Sequence, residues 1–289
     1  MIRDILKSMR PKQWVKNVFV LPALVFDRQL FNIPALLRTG LGFILFCLLS
    51  SAIYLLNDIA DIESDRKHPR KKNRPIAAGR ISVKFARIFA IFLLLIVFVC
   101  GYFLSKEFLL IALLYWITNT IYSKWLKHQP ILDAITLSMG FLLRVFAGVS
   151  LIEVERFSPW LYVVATLISL YIVLGKRRSE LNLISNTTNE QRPVLDGYTI
   201  PFLDQLISII SATTIISYSL YTFSAPNVPA NHTMMLTIPF VIYGIFRYLH
   251  IMQVQCKGDT PEEIFLHDRP LQIVMALWAF TVVLIFYFT

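Results

Sequence analysis

The sequence predicts an all-α polytopic membrane protein of nine transmembrane helices, and three observations predict it. The 289 residues are 56% hydrophobic, with a mean hydropathy of +0.61, more apolar surface than a soluble core can hide. The apolar residues fall in runs near the length of about 20 that a helix needs to cross a bilayer. The Lys and Arg residues, which give a formal net charge of +10, sit in short segments between those runs, as in a polytopic protein. The same confinement argues against nucleic acid as a partner, and no nucleic-acid module is visible.

In chain order the expected spans are 14–30, 34–57, 84–104, 107–123, 131–151, 159–175, 205–224, 233–252 and 270–288. The first is the weakest, being short and interrupted by Lys16, Asn17 and Pro22. Before it stand Arg3, Lys7, Arg10 and Lys12 with no short apolar core behind them, so a cleavable signal peptide is not expected. Basic residues recur in alternate links: seven between Arg66 and Arg80, then Lys124 and Lys127, then Lys176, Arg177, Arg178 and Arg192, then Lys257 and Arg269. The intervening links carry Arg28, Lys106, Arg156 and no cation in turn. Positive residues stay on the cytoplasmic side, which puts the N-terminus inside and the C-terminus outside. No internal repeat or separate soluble domain is evident, so residues 1–289 read as a single domain. The longest link, about 176–204, has the length of a lid. Cys47, Cys100 and Cys256 are scattered and indicate neither a disulfide framework nor a thiolate metal site.

The second span ends in Asn57-Asp58-Ile59-Ala60-Asp61-Ile62-Glu63-Ser64-Asp65. On a helix Asp58, Asp61 and Asp65 share one face, with Asn57 beside it. Like charges gathered at a membrane boundary are costly, so something cationic belongs between them. Mg2+ fits, because it takes oxygen ligands and is commonly held by one or two carboxylates plus substrate phosphates. Arg66 and Arg74, just downstream, offer donors for those phosphates. The competing reading is a solvated run in which these acids merely pair with neighbouring cations.

Further candidates lie on the same expected side. Lys16 and Asn17 follow Arg10-Pro11-Lys12-Gln13-Trp14 and would enter the first span; a cation there either snorkels or meets a phosphate. Tyr122 and Lys127 have donors for phosphate oxygens, within a segment that continues to Asp133. Arg144, in the middle of the fifth span, must face the bundle interior and find an acid or a phosphate. Lys176, Arg177 and Arg178 close the sixth span as three successive cations, either topology determinants or an anion site opposite the acidic helix. The segment Gly258 to Pro270 reads as a helix start followed by a capped re-entry.

These residues carry a resemblance. Asn57-Asp58-x-x-Asp61-x-x-x-Asp65 with His68-Pro69 and Arg74-Pro75-Ile76-Ala77-Ala78-Gly79 resembles the first aspartate-rich motif of the UbiA superfamily of intramembrane prenyltransferases. The segments around Arg10, Tyr122, Lys176 and Asp268 resemble the decaprenyl-phosphate phosphoribosyltransferase branch of that superfamily. The resemblance implies a UbiA-like bundle in a bacterial plasma membrane with its active site facing the cytoplasm. It implies a Mg2+-dependent transfer of 5-phosphoribose from phosphoribosyl diphosphate to a polyprenyl phosphate, feeding an arabinose donor for cell-envelope arabinan. Asn57, Asp58, Asp61 and Asp65 would be the catalytic set, the three aspartates the metal ligands, and the cations named above the phosphate contacts. The second aspartate-rich motif usual in the superfamily is absent, and Lys176, Arg177 and Arg178 stand in its place; Asp196 and Asp204 are too far apart to supply it. Two other readings stay open: a prenyltransferase acting on an aromatic acceptor, and a non-enzymatic transporter or lipid-binding protein.

Overall fold

The computed structural model describes residues 2–68, 71–153, 158–185, 193–255 and 261–288. Among them there is no strand, and every regular element is helical. Arg192, Lys257 and the Gly258-Asp259-Thr260 segment lie outside the described residues, as does Cys256. The chain divides into two compact units. The first comprises Met1–Leu24, Gln29–Lys124 and Leu143–Glu153, and the second Val25–Arg28, Trp125–Leu142 and Val154–Thr289.

The first unit opens with α1 (Ile2–Met9), a 3-10 helix over Pro11–Val20 and the start of α2 (Pro22–Phe26). The expected first span at 14–30 is therefore not one helix. A 3-10 run of this length is unusual, and Pro22, which has no amide hydrogen to donate, marks where it gives way to α2. The long helix α3 (Ile33–Ala60) begins where Asn32 accepts a hydrogen bond from Ala35 N at 3.4 Å, with Pro34 in its first turn. A break at Asp61 (φ −96, ψ 9) separates it from the short α4 (Ile62–Lys67). After α5 (Val83–Leu104), capped by Ser82, comes α6 (Lys106–Lys124). The core is an aromatic cluster in which Phe46 meets Phe108 and Tyr115 edge-on at 5.7 and 5.3 Å. The last turns of α7 (Leu132–Val149) complete it. Gly148 lets that helix touch the 3-10 segment, since a Cβ there would lie 2.0 Å from the Val20 carbonyl oxygen.

The second unit takes the first part of α7 and then α8 (Pro159–Ser185), α9 (Ile200–Ser224) and α10 (Ile238–His250), which runs on as a π-helical turn over Ile251–Gln255. It closes with α11 (Pro261–His267) and α12 (Arg269–Phe288). The capped re-entry is present as read: Asp268 accepts from Leu271 N at 2.9 Å, one residue ahead of the helix that contains Pro270. Arg247 lies 2.7 Å from the same carboxylate, and the guanidinium holds Asp268 below the usual carboxylate range.

Seven helices among the described residues are long and apolar enough to cross a membrane: α3, α5, α7, α8, α9, the helical run Thr233–Gln255, and α12. The expected sixth span ended at 175, but α8 continues to Ser185. Lys176, Arg177 and Arg178 consequently lie within a helix rather than at its end.

Candidate functional site

In the first unit, α3 turns a face of small and polar residues, Cys47, Ser50, Ser51, Tyr54 and Asp58, toward the N-terminal segment; Cys47, Ser51, Tyr54 and Asp58 follow one another at three or four residues, one helical turn, with Ser50 beside them. Small side chains on that face let another backbone approach closely. Ser51 Oγ donates to the Met9 carbonyl at 3.1 Å and accepts from Trp14 Nε1 at 3.0 Å. Asn17, fully buried, donates from Nδ2 to Cys47 Sγ and Ser50 Oγ, both at 3.3 Å. Arg10 ends the row, its guanidinium paired with the Asp58 carboxylate and 4.8 Å from the centre of the Tyr54 ring.

Asp58 and Asp65 are each 2% exposed, and one nitrogen serves both. Arg74 Nη1 lies 3.1 Å from Asp58 Oδ1 and 2.6 Å from Asp65 Oδ2. Its position is set by the turn that follows. Ile76 is buried in the core beside α3 and α5, Ala78 N donates to the Arg74 carbonyl at 2.9 Å, and Gly79 takes the left-handed conformation (φ 73). The cation between Asp58 and Asp65 is a guanidinium, the pairing with a neighbouring cation that the competing reading expects, and the break at Asp61 means that the three aspartates do not share one continuous helix. Asp61, at the helix break, and Asn57 are half-buried. No three His, Cys, Asp or Glu side chains among the described residues converge tightly enough to hold a metal by themselves. Two buried carboxylates around one cation position are nevertheless the donor set of a hard divalent ion whose other ligands are waters and phosphate oxygens, so the residues fit Mg2+.

The other expected phosphate contacts of this unit are placed differently. Arg66 is exposed, donating from Nε to the Ala77 carbonyl at 3.3 Å and lying 3.5 Å from Glu63. Lys16 and Tyr122 are half-buried. Arg144, 4% exposed, was expected to find an acid or a phosphate; it donates to Asn17 Oδ1 at 2.7 Å and to the Tyr115 hydroxyl at 2.6 Å. These neutral acceptors give the guanidinium dipoles in place of water. The 3-10 segment thus ties α3 to the end of α7 through Asn17.

In the second unit the cations of α8 do not form a bare anion site. Arg177 is 1% exposed, donates from Nε to Asp133 Oδ2 at 2.6 Å and pairs with Glu180 one turn on. Arg178 pairs with Asp204 and donates to the Met252 carbonyl at 3.0 Å. A buried guanidinium left unpaired is costly, so acids remote in sequence are drawn to it. Lys176 and Lys127 are half-buried. Tyr198 closes the network, donating to Asp133 Oδ1 at 2.7 Å and accepting from Ile131 N at 2.6 Å. Burial, reinforced by that bond to the carboxylate, pushes the Tyr198 hydroxyl well above its ordinary pKa. Ile131 is a β-branched residue at φ 67, a strained conformation held by its neighbours. Gly197 fits against Pro130 where a Cβ would come within 2.2 Å.

Sequence reasoning missed Arg10, Asp133 and Tyr198 as site members. Arg10 and Asp133 lay inside segments it quoted, and the signal was available: a buried aspartate needs a cation and a buried arginine an acid. Tyr198 left no such trace.

Residues 18–175 match the model of the UbiA prenyltransferase family. A decaprenyl-phosphate phosphoribosyltransferase of Mycolicibacterium smegmatis is 33% identical over 306 residues, covering 100% of this chain and 94% of that protein. A protein of the same name from Corynebacterium glutamicum is 34% identical over 98% of this chain and 86% of its own length. A UbiA homologue from Archaeoglobus fulgidus, solved bound to GPP and Mg2+, is alike in fold: TM-score 0.73 at 21% identity, over 98% of this chain and 99% of that one. With more than half of its length matched by the family model and relatives of about a third identity along its whole length, this membrane-embedded chain belongs to the UbiA prenyltransferase family.

Proposed function

We propose that the chain transfers 5-phosphoribose from phosphoribosyl diphosphate to a polyprenyl phosphate and releases diphosphate. The observation that carries this reading is the 33% identity along the whole chain to an enzyme named decaprenyl-phosphate phosphoribosyltransferase. The geometry supports it through Asp58 and Asp65, two buried carboxylates around one cation position. These two would hold Mg2+; Asp61, at the break between α3 and α4, and Asn57, next to Asp58 in the chain, complete the catalytic set of this reading. When bound, Mg2+ supplies positive charge to the departing diphosphate oxygens.

The remaining work falls to side chains that bind and orient. Arg74 and Arg66, on either side of the turn after α4, bring guanidinium donors to phosphate oxygens. In this reading Lys16, Asn17, Tyr122 and Arg144 are further substrate contacts of the first unit. Asn17 and Arg144 act with their mutual hydrogen bond as a rigid pair. In the second unit the phosphate contacts are Lys127, Lys176, Arg177 and Arg178, with Asp133, Glu180 and Asp204 holding the two guanidiniums in place. The acceptor is anionic near neutral pH, so the side chains need only bring two anions together and no general base is required.

The same proposal carries the topology: nine spans within one domain, the N-terminus in the cytoplasm, the C-terminus outside, and the acidic end of α3 open to cytosolic substrate in a bacterial plasma membrane. The lipid product would feed an arabinose donor for cell-envelope arabinan. The test pairs the purified protein with labelled phosphoribosyl diphosphate and polyprenyl phosphates of several lengths, with and without Mg2+. Metal-dependent label in the lipid phase and stoichiometric diphosphate are expected. Turnover of a prenyl diphosphate with an aromatic acid, and none of phosphoribosyl diphosphate, would overturn the reading in favour of an aromatic prenyltransferase. Lipid-phosphate binding that is indifferent to Mg2+, with no diphosphate released, would point to a non-enzymatic lipid-binding protein.

A further inference from the structure

The acids and arginines at the end of α3 balance in charge, two against two, and they are unequal in burial. Asp58 and Asp65 are each 2% exposed, whereas the side chains of Arg10 and Arg74 are 28% and 27% exposed. The acids are fixed in the body of the unit; the arginines reach them from its surface. Arg10 is also strained. Its backbone is left-handed (φ 54, ψ 62), immediately before Pro11 and at the junction between α1 and the 3-10 helix. A residue other than glycine holds such a conformation only where its surroundings dictate it, and here the grip is on Asp58 and the Tyr54 ring.

A divalent cation held by Asp58 and Asp65 would share this small volume with both guanidiniums. Like charges at contact distance cannot all stay, and the partners able to leave are the half-exposed ones. A metal arriving alone would have to expel the arginines into water. A metal arriving with diphosphate also brings the planar, multiply anionic partner that a guanidinium binds with two parallel hydrogen bonds.

We infer that Arg10 and Arg74 are exchangeable counter-ions, which neutralise Asp58 and Asp65 in the metal-free site and move onto diphosphate oxygens when metal and diphosphate load together. This rests on the metal-diphosphate reading proposed above and adds Arg10 to the substrate-binding residues. Its consequence is that metal and diphosphate bind with positive coupling, and that the coupling runs through the arginines.

The test is a Mn2+ titration followed by electron paramagnetic resonance, with the full chain in lipid nanodiscs, with and without inorganic diphosphate. The parent should bind Mn2+ weakly alone and more tightly with diphosphate. In Arg10→Gln, Mn2+ alone should bind about tenfold more tightly and the gain from diphosphate should shrink by about the same factor, a size usual for coupling between sites. Removing a pair that only braced the fold would not raise the affinity for Mn2+ alone while shrinking the gain from diphosphate. If Arg10→Gln binds Mn2+ no better than the parent while Asp58→Asn loses it, the exchange is overturned and the metal site stands. If Asp58→Asn binds Mn2+ as the parent does, or no variant binds it, the metal reading falls and takes this inference with it. Should Arg10→Gln fail to fold, Arg74→Gln is held to the same two shifts, because its guanidinium bridges both acids.

Discussion

The ion-pair clusters of the two units have the same chemistry and differ in the burial of their arginines. In the first, buried carboxylates of Asp58 and Asp65 are met by half-exposed Arg10 and Arg74. In the second, Arg177 is at 1% exposure among Asp133, which is fully buried, and Glu180, which is at 21%. Buried acids with solvated cations can trade those cations for a metal. A buried arginine with buried partners cannot leave without unmaking its surroundings. The comparison teaches that the burial of each partner, more than the pairing itself, separates a site that can exchange ions from one that braces the fold.

Four measurements break or sharpen that contrast. The largest effect belongs to Asp58→Asn, which should lower diphosphate release by roughly a hundredfold or more. It should leave the protein folded in a thermal melt, because Arg10 and Arg74 can turn to water; an unfolded variant would erase the distinction. Next comes Arg177→Ala, which strands Asp133 as a buried charge and should cost about 3 to 5 kcal/mol in a denaturation experiment. A loss below about 1 kcal/mol, the level of a surface pair, would show that this cluster is not a brace.

Tyr198→Phe should cost about 1 to 3 kcal/mol, since it leaves Asp133 Oδ1 and the Ile131 amide each short of a partner. Faster hydrogen exchange at the Ile131 amide is the local readout, and unchanged protection there would refute the assignment. The smallest effect is at Asp268, whose carboxyl Arg247 holds below its ordinary range. A depressed acid stabilises the fold above its unfolded pKa and loses that contribution as pH falls through the folded value. The melting temperatures of the parent and Asp268→Asn should therefore differ near pH 7, by the equivalent of about 1 kcal/mol or less, and converge as the pH is taken below about 4.

Much of the helical frame was legible. The apolar runs at 34–57, 84–104, 205–224 and 270–288 fall on α3, α5, α9 and α12 to within a few residues. Asp268 caps the last helix as the sequence indicated, and the structure adds Asn32, Ser82 and Thr199 as caps of α3, α5 and α9. The run at 14–30 is not one continuous helix, because Pro22, already named as an interruption, ends the 3-10 segment and Asn17 is a buried junction. The extent of α8 was missed for a related reason. Charge was read as the end of a span, whereas acids from other segments allow Arg177 and Arg178 to continue a helix.

By itself the sequence determined where most of the long helices form, that they belong in a bilayer, and that the acids at the end of α3 need a cation. Each of those is a local property, written within a turn or two of the chain. Only the tertiary structure decided that the cation is Arg74 together with Arg10, that Asp133 and Tyr198 enclose Arg177, and that Arg144 meets Asn17 and Tyr115. The cost of a buried charge depends on what is packed around it, and here those neighbours come from segments many residues away.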